Sequence, residues 1–474
     1  VNWRAIEHNC GLFGIVGNPD AAELARLGLY AQQHRGQESA GICTTDGRRI
    51  LRRAGQGLVT EVFDADSVRS IRNPTAIGHV RYSTAGMSCE ANAQPLLFEC
   101  AEGPVAIAHN GNLTNAAAVR RRFEEQGHIF QTTSDTEVIV HLLASPEFRN
   151  NGRSLPKLLE QLDGAYSLLL LFSDHVVAIR DPLGFRPLSL GRLTDGTTVV
   201  ASETCALDIV DATHVRDIEP GEIVTITPEG IASEWFGPPV RQRGAACIFE
   251  QIYFADPSSD VFGDNVHMVR AALGRRLAEE APADADLVAP VPNCARCAAL
   301  GYSQASGLLL GRAFTTNHYV GRSFILPTQD RRTLVVKMKL NVIKEAVRGK
   351  RVVVVEDSIV RGTTTRGKMS ALRKAGAKEI HLRVASPPIR HPCYFGIDFP
   401  DPSKLVAPDR NVEEIRRFLE VDSLRYLSVD GMLDCVSMDR GQYCTACFTA
   451  DYPVEVTAPV DNHAKQHDRL RARV

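Results

Sequence analysis

The stretch Val352-Val353-Val354-Val355-Glu356-Asp357-Ser358-Ile359-Val360-Arg361-Gly362-Thr363-Thr364 decides how the second half of the chain folds. An uninterrupted β-branched run suits a strand buried on both faces, the signature of a parallel sheet. It ends in two carboxylates and a turn, and a helix is expected over residues 364–375. Outward from it, the pattern predicts a helix over 266–280, a strand over 285–291, a segment 337–347 leading into the valine run, and a strand over 379–384. Such alternation is the pattern of a parallel α/β sheet, with ligands at the C-terminal ends of its strands. Backbone N–H groups of the turn, with the hydroxyls of Ser358, Thr363 and Thr364, can cradle a phosphate at a helix start. Glu356 and Asp357 carry the wrong charge for phosphate but suit ribose hydroxyls or Mg2+. The Gly-rich run of a nucleotide-binding P-loop is absent. The plain alternative is a buried strand with a solvent-facing turn.

The first half reads differently. Short apolar segments such as Gly41-Ile42-Cys43-Thr44, Val105-Ala106-Ile107-Ala108 and Val176-Val177-Ala178-Ile179 alternate with Gly and Asn turns and with helical stretches over 21–33, 114–126 and 136–143. Strands with layered helices indicate a sheet-rich α+β unit. The Gly- and Pro-rich segment 220–244 marks its expected end. Near its start lies Cys10-Gly11-Leu12-Phe13-Gly14-Ile15. A cysteine freed to be the first residue of a chain would carry a nucleophile and a base on one residue. Polar clusters accompany it: Gln33-His34-Arg35-Gly36-Gln37-Glu38, Gly78-His79-Val80-Arg81-Tyr82, His109-Asn110-Gly111-Asn112 and Thr133-Ser134-Asp135-Thr136-Glu137. Taken singly they have ordinary readings: Arg81 as a surface ion pair, Asp135 as a helix cap, and Asn110-Gly111 as a hairpin turn.

Composition sets the outer limits. With 474 residues, two domains are the natural division, and a formal net charge of -2 argues against a nucleic-acid surface. No apolar run is long enough to cross a bilayer, and residues 1–9 are too short and polar for a secretory signal, so a cytoplasmic location is expected. Twelve cysteines in such a chain point to thiols, a nucleophile or a metal centre rather than disulfides. Cys444-Thr445-Ala446-Cys447 alone leaves a redox pair, half a zinc site and half an iron–sulfur site all open.

Together these strings resemble the glutamine phosphoribosylpyrophosphate amidotransferase family across essentially the whole chain. The resemblance implies a four-layer αββα N-terminal-nucleophile glutaminase domain over 10–240, after a nine-residue propeptide whose removal exposes Cys10. A type I phosphoribosyltransferase domain with a central parallel sheet would span 241–460, followed by a loose tail over 461–474. By the same resemblance, Asn110 and the Gly111 N–H stabilise the oxyanion, Arg81 holds the glutamine carboxylate and Asp135 its ammonium. Glu356 and Asp357 would meet ribose and Mg2+, and Ser358, Arg361, Gly362, Thr363 and Thr364 the 5′-phosphate. The strand end at Cys294 would meet pyrophosphate and Mg2+, and a closing loop containing Arg322, Lys337 and Lys339 would cover it.

The chain departs from the usual family pattern where Glu356 replaces an aspartate and Cys294 a serine, and sulfur is a soft neighbour for Mg2+. Cys247, Cys393, Cys444 and Cys447 match the positions that hold a [4Fe-4S] cluster in the iron–sulfur branch of the family. Tyr253 and the closing loop are candidates to line an ammonia passage. Purine nucleotide inhibitors and a homotetramer are further implications of the resemblance. Two competing readings are a secondary-metabolism paralogue and a regulatory protein that keeps the fold.

Overall fold

The computed structural model describes residues 10–82, 89–101, 103–237, 244–316, 340–397, 403 and 405–456. In the first half the strands are β1 (Gly11–Val16), β2 (Ser39–Thr45), β3 (Ile50–Gln56), β4 (Thr75–Arg81), β5 (Leu96–Cys100), β6 (Gly103–Leu113) and β7 (Gly164–Leu171). They continue with β8 (Val176–Arg180), β9 (Ser189–Arg192), β10 (Thr198–Ala201), β11 (Thr213–Asp217), β12 (Glu222–Thr227) and β13 (Gly230–Trp235). Seven form one sheet in the order β11-β9-β10-β1-β4-β2-β3, and six form another, β13-β12-β8-β7-β6-β5. The pairings are antiparallel, including β1 with β4 and β6 with β7.

The period of two along β1 explains the layering. Leu12 and Val16 point into an apolar layer shared with Ala106, Leu169, Ala178 and Val224 of the other sheet. Phe13 and Ile15 point oppositely, onto helix Ala21–Ala31 through Ala25 and Leu29. On the far side, Ile107, Leu168 and Leu170 pack against Val119, Phe123, Val138 and Leu142 of helices Ala116–Glu125 and Glu137–Leu143. Helix, sheet, sheet and helix therefore stack as the expected αββα sandwich. Burial of a side chain such as Leu12, Phe13 or Ile15, each fully enclosed, contributes about 1.5–3 kcal/mol. The Gly- and Pro-rich segment is not a plain linker: β12 and β13 occupy most of it as a hairpin, because Ile223, Val224 and Ile226 are buried while β13 lies at the exposed edge.

The second half is built on four parallel strands in the order Leu287–Pro290, Arg351–Glu356, Glu379–Val384, Ser423–Tyr426. Helices Val266–Glu280 and Arg296–Ser306 cover one face, through Val269, Leu273 and Tyr302 against Val288, Val353 and Val355. Helices Thr363–Lys374 and Val412–Leu419 cover the other, through Met369, Leu372, Ile415 and Leu419 against Val352, Val354, Ile380 and Leu382. Val352 to Val355 are fully buried, as a doubly covered strand requires. None of the helices among the described residues is long and apolar enough to cross a membrane.

Candidate active site

Cys10 sits immediately before β1, and register decides its neighbours. Gly11 pairs with Val80 and Ser39 with Arg81, so the start of β1 and the end of β4 lie side by side. The Cys10 thiol is buried, with Sγ 3.8 Å from the Tyr82 carbonyl oxygen. Burial pushes this thiol up to about 11, opposed by the Tyr82 contact and by the Arg81 charge, while Asp135 and Glu38 add to the rise. The groups whose charge reaches Cys10 thus include two of the residues singled out from the sequence, Arg81 and Asp135. Arg81 Nη1 donates to Glu38 Oε1 at 2.8 Å, a carboxylate that sequence reasoning did not single out although it lies in one of the polar clusters.

Asn110 and Gly111 lie inside the long strand β6, paired with Ser167 and Tyr166. They are not a hairpin turn. Asn110 is fully buried, and its amide nitrogen and oxygen have no hydrogen-bond partner among the described residues. An orphaned buried amide costs free energy and is rare in folded proteins, so it marks a place that a ligand can satisfy. Gly111 has φ +149, and a Cβ there would meet the Ala165 carbonyl oxygen at 1.9 Å, so only glycine fits. The Asp135 carboxylate does not cap the following helix, whose N-cap is Thr136 with no side-chain cap bond. Its Oδ2 instead accepts the Leu113 N–H at 3.0 Å, tying the 130s segment to the end of β6. His79, held neutral by burial that pulls it down to about 3, is linked through Nε2 to the His109 carbonyl oxygen at 3.0 Å.

In the second half, Glu356 ends its strand, and the Val291 N–H donates to the Val355 oxygen at 2.8 Å. That bond brings the Pro292-Asn293-Cys294 segment beside the acidic pair. Burial raises Glu356 to about 7, with Lys368 opposing; Lys368 Nζ stands 3.4 Å from both its carboxylate oxygens. Asp357 is raised by burial as well, and its Oδ1 accepts the Ser358 hydroxyl at 2.7 Å. Gly362, in the left-handed region at φ 73, immediately precedes helix Thr363–Lys374, so the N–H groups of Thr363 and Thr364 belong to that helix's first turn. Arg361 is half-buried at the same turn. Arg322, Lys337 and Lys339 lie outside the described residues. Lys368 and the buried Arg270, whose charge acts on Cys294 and Asp357, were not anticipated. Both sit on helices whose periodicity said only which face is buried.

A family model described as a glutamine amidotransferase domain matches residues 79–208. The amidophosphoribosyltransferase of Methanothermobacter thermautotrophicus is 45% identical over 472 residues, covering 98% of both chains. That of Bacillus subtilis is 45% identical over 459 residues, covering 96% of each. Among solved structures, glutamine phosphoribosylpyrophosphate amidotransferase from B. subtilis, complexed with ADP and GMP, superposes with a TM-score of 0.89 over 96% of this chain and 100% of that one. The allosteric regulatory enzyme of purine biosynthesis superposes with a TM-score of 0.90 at 45% identity, covering 96% of this chain and 99% of that one. The chain belongs to the amidophosphoribosyltransferase family.

Placement in an iron–sulfur branch of that family is not borne out. Cys247, Cys393, Cys444 and Cys447 do border one hollow, and Cys247 and Cys444 pair across a short parallel bridge. Yet among the described residues no group of three or more His, Cys, Asp or Glu is disposed to hold a metal ion. The walls around these thiols include Phe185, Phe249, Phe395 and Ile397. In that setting burial raises all four thiols, Cys247 to about 11, and so favours the protonated form over the thiolate a metal requires. The described residues therefore do not form the expected [4Fe-4S] centre. For Mg2+, expected at Cys294, Glu356 and Asp357, the two carboxylates are hard oxygen donors that suit the ion, whereas burial raises the Cys294 thiol to about 12 and keeps it protonated.

Proposed function

We infer that this chain is an amidophosphoribosyltransferase: it hydrolyses glutamine at Cys10 and transfers the ammonia to phosphoribosyl pyrophosphate, giving 5-phosphoribosylamine, glutamate and pyrophosphate for purine biosynthesis. What supports the glutaminase reading is that the charges of Arg81 and Asp135 reach the buried Cys10 at the start of β1, and that Asn110, within β6, is a buried amide with no partner among the described residues. Arg81 would take the glutamine carboxylate and Asp135 its ammonium, leaving the side-chain amide at Sγ. The sulfur attacks the amide carbon, and negative charge develops on its oxygen, where the Asn110 amide and the Gly111 N–H would receive it. Collapse to the thioester expels ammonia, and water then releases glutamate. With its thiol pushed up to about 11, an internal Cys10 is a poor nucleophile near neutrality. Removal of residues 1–9 would supply an α-amine of pKa about 8 as the base.

At the second centre, Glu356 and Asp357 would hold the ribose hydroxyls while the 358–364 turn holds the 5′-phosphate at the helix start. Ammonia then attacks C1 as pyrophosphate leaves. By the family resemblance, Arg322 and Lys339 are proposed to contact the pyrophosphate. Regulation by purine nucleotides is part of the proposal, supported by the B. subtilis relative solved with ADP and GMP. A homotetramer is proposed from the family resemblance. A cytoplasmic setting is proposed on the twelve free cysteines, which suit a reducing compartment.

The test is N-terminal analysis of the purified protein alongside pyrophosphate release with glutamine or ammonia as donor. A mature chain beginning at Cys10, active with either donor, is expected. An active chain that still begins at Val1 would sink the proposed base, and failure to release pyrophosphate with ammonia would sink the transferase assignment.

A further inference from the structure

The side chains of strand Arg351–Glu356 alternate between two helical layers. Val352 and Val354 pack against Met369 and Leu372 of helix Thr363–Lys374, while Val353 and Val355 face the opposite layer. Glu356 keeps the parity of Val352 and Val354, so alternation sends its side chain to the side of helix Thr363–Lys374. Lys368 of that helix meets it there. Its Nζ donates to Oε1 and to Oε2, each at 3.4 Å, and so straddles the carboxylate instead of taking one oxygen. Both side chains are nearly enclosed, Lys368 at 16% and Glu356 at 7% exposure. Charges so far removed from water attract one another more strongly than a surface pair does.

Glu356 is the position at which this chain carries a glutamate in place of the aspartate of the family pattern. The extra methylene adds a rotatable bond, and glutamate is among the side chains that lose most rotamer freedom when fixed. A cation spanning both oxygens removes that freedom before any ligand arrives, which is the condition for tight binding by a flexible group. The place of Lys368 on its helix gives the grip a second consequence. It follows Thr364 by four residues, so the two share one helix face a turn apart. A single helix therefore presents its first turn to the 5′-phosphate and clamps the carboxylate assigned to the ribose, which sets the spacing between the two.

We propose that Lys368 is a positioning residue: it holds the longer side chain of Glu356 in the place from which its carboxylate accepts the ribose hydroxyls. The proposal deepens the transferase reading above and rests on it. Lys368 and Glu356 then work as a pair, and a change at one position alters what the other is worth.

The test uses the full processed chain with ammonia as donor, so that glutamine hydrolysis plays no part. It reads pyrophosphate release together with the binding of phosphoribosyl pyrophosphate by titration calorimetry. In Lys368→Met, KM and Kd for that substrate should each rise about tenfold, with kcat within about threefold of wild type. Lys368→Arg, which keeps a cation, should recover most of the affinity. The deciding comparison is between Glu356→Asp and the double variant Glu356→Asp, Lys368→Met. The shorter acid needs no clamp, so there the loss of the lysine should weaken binding less than about threefold. Equal losses in the two backgrounds would overturn the proposal and leave Lys368 a scaffolding residue. Wild-type KM and Kd in Lys368→Met would overturn it as well. Should Lys368→Met fail to fold, Lys368→Gln is read in its place. A wild-type chain that released no pyrophosphate with ammonia would instead overturn the transferase site itself, and this proposal with it.

Discussion

The glutaminase centre is assembled on antiparallel strands whose register fixes Cys10 beside Arg81, whereas the phosphoribosyl centre hangs from the ends of parallel strands and the turns that follow them. In the first, neighbouring strands hold each other in place, and Gly111 fits so closely against Ala165 that no side chain is admitted. In the second, carboxylates are held in a desolvated pocket with their charge only partly answered by Lys368. The contrast teaches that a small amide can be processed in a preformed slot. Carboxylates only partly neutralised favour hydroxyl or cationic partners, so the anionic groups of a sugar diphosphate would have to be met elsewhere, as at the helix start.

The strongest way to break this division of labour is to disable one half and ask whether the other survives. Cys10→Ala should lower glutamine-dependent product formation by about 10³-fold or more while leaving ammonia-dependent formation within about threefold, measured as pyrophosphate release. Asp357→Asn should reduce release by roughly 10²–10³-fold with either donor, because it acts after ammonia is made. If Asp357→Asn spared the ammonia reaction, the two centres would not be separable as described.

Subtler changes sharpen the glutaminase side. In a chain kept unprocessed, alkylation of Cys10 near pH 7.5 should run about 10²-fold slower than for an ordinary cysteine. The sign follows from burial, which disfavours the thiolate and raises the thiol to about 11, so the rate should climb with pH throughout the range 7–10. Asn110→Ala should lower glutaminase kcat by about 10²-fold with a small change in KM, since its amide would act on charge present only in the transition state. The smallest effect is expected at Gly396, which backs onto Gly111 so closely that a Cβ would meet the Gly111 carbonyl carbon at 3.2 Å. Alanine there, at φ +102, should cost about 1–2 kcal/mol in thermal unfolding and reduce glutamine hydrolysis several-fold, with ammonia use spared.

Much of this architecture was readable from periodicity. The helix Val266–Glu280 and the strand Glu379–Val384 lie where alternation of polar and apolar residues placed them, and the valine run is the doubly covered strand it was expected to be. The polar strings around Cys10 could be picked out together, while the ordinary local readings offered beside them do not hold. Asn110-Gly111 has the composition of a hairpin turn but lies in mid-strand, because the long pairing with β7 outweighs local turn preference. Asp135 has the position of a helix cap but gives its carboxylate to Leu113, a bond across 22 residues that no local rule contains. The four cysteines were correctly brought to one place, but convergence in space did not yield a metal-holding group. Least legible was the Arg35–Glu250 pair, separated by 215 positions. Each lay inside a string notable for another residue, and only the folded chain shows them bound to one another.

The short bridge between Ala246–Cys247 and Tyr443–Cys444 has a consequence for how this protein can be divided. The polypeptide leaves the first half, builds the whole phosphoribosyl unit, and then comes back to fasten itself at the crossing point. Cutting the gene after residue 237 would therefore not yield two self-sufficient pieces. The upstream fragment would lose Glu250, the buried partner of Arg35 and Arg186, and the backing of Gly396, and the downstream fragment would lose those two arginines. Co-expressed fragments should recover glutamine-dependent synthesis only where they reassociate, so loss of complex on dilution would be matched by loss of coupled turnover.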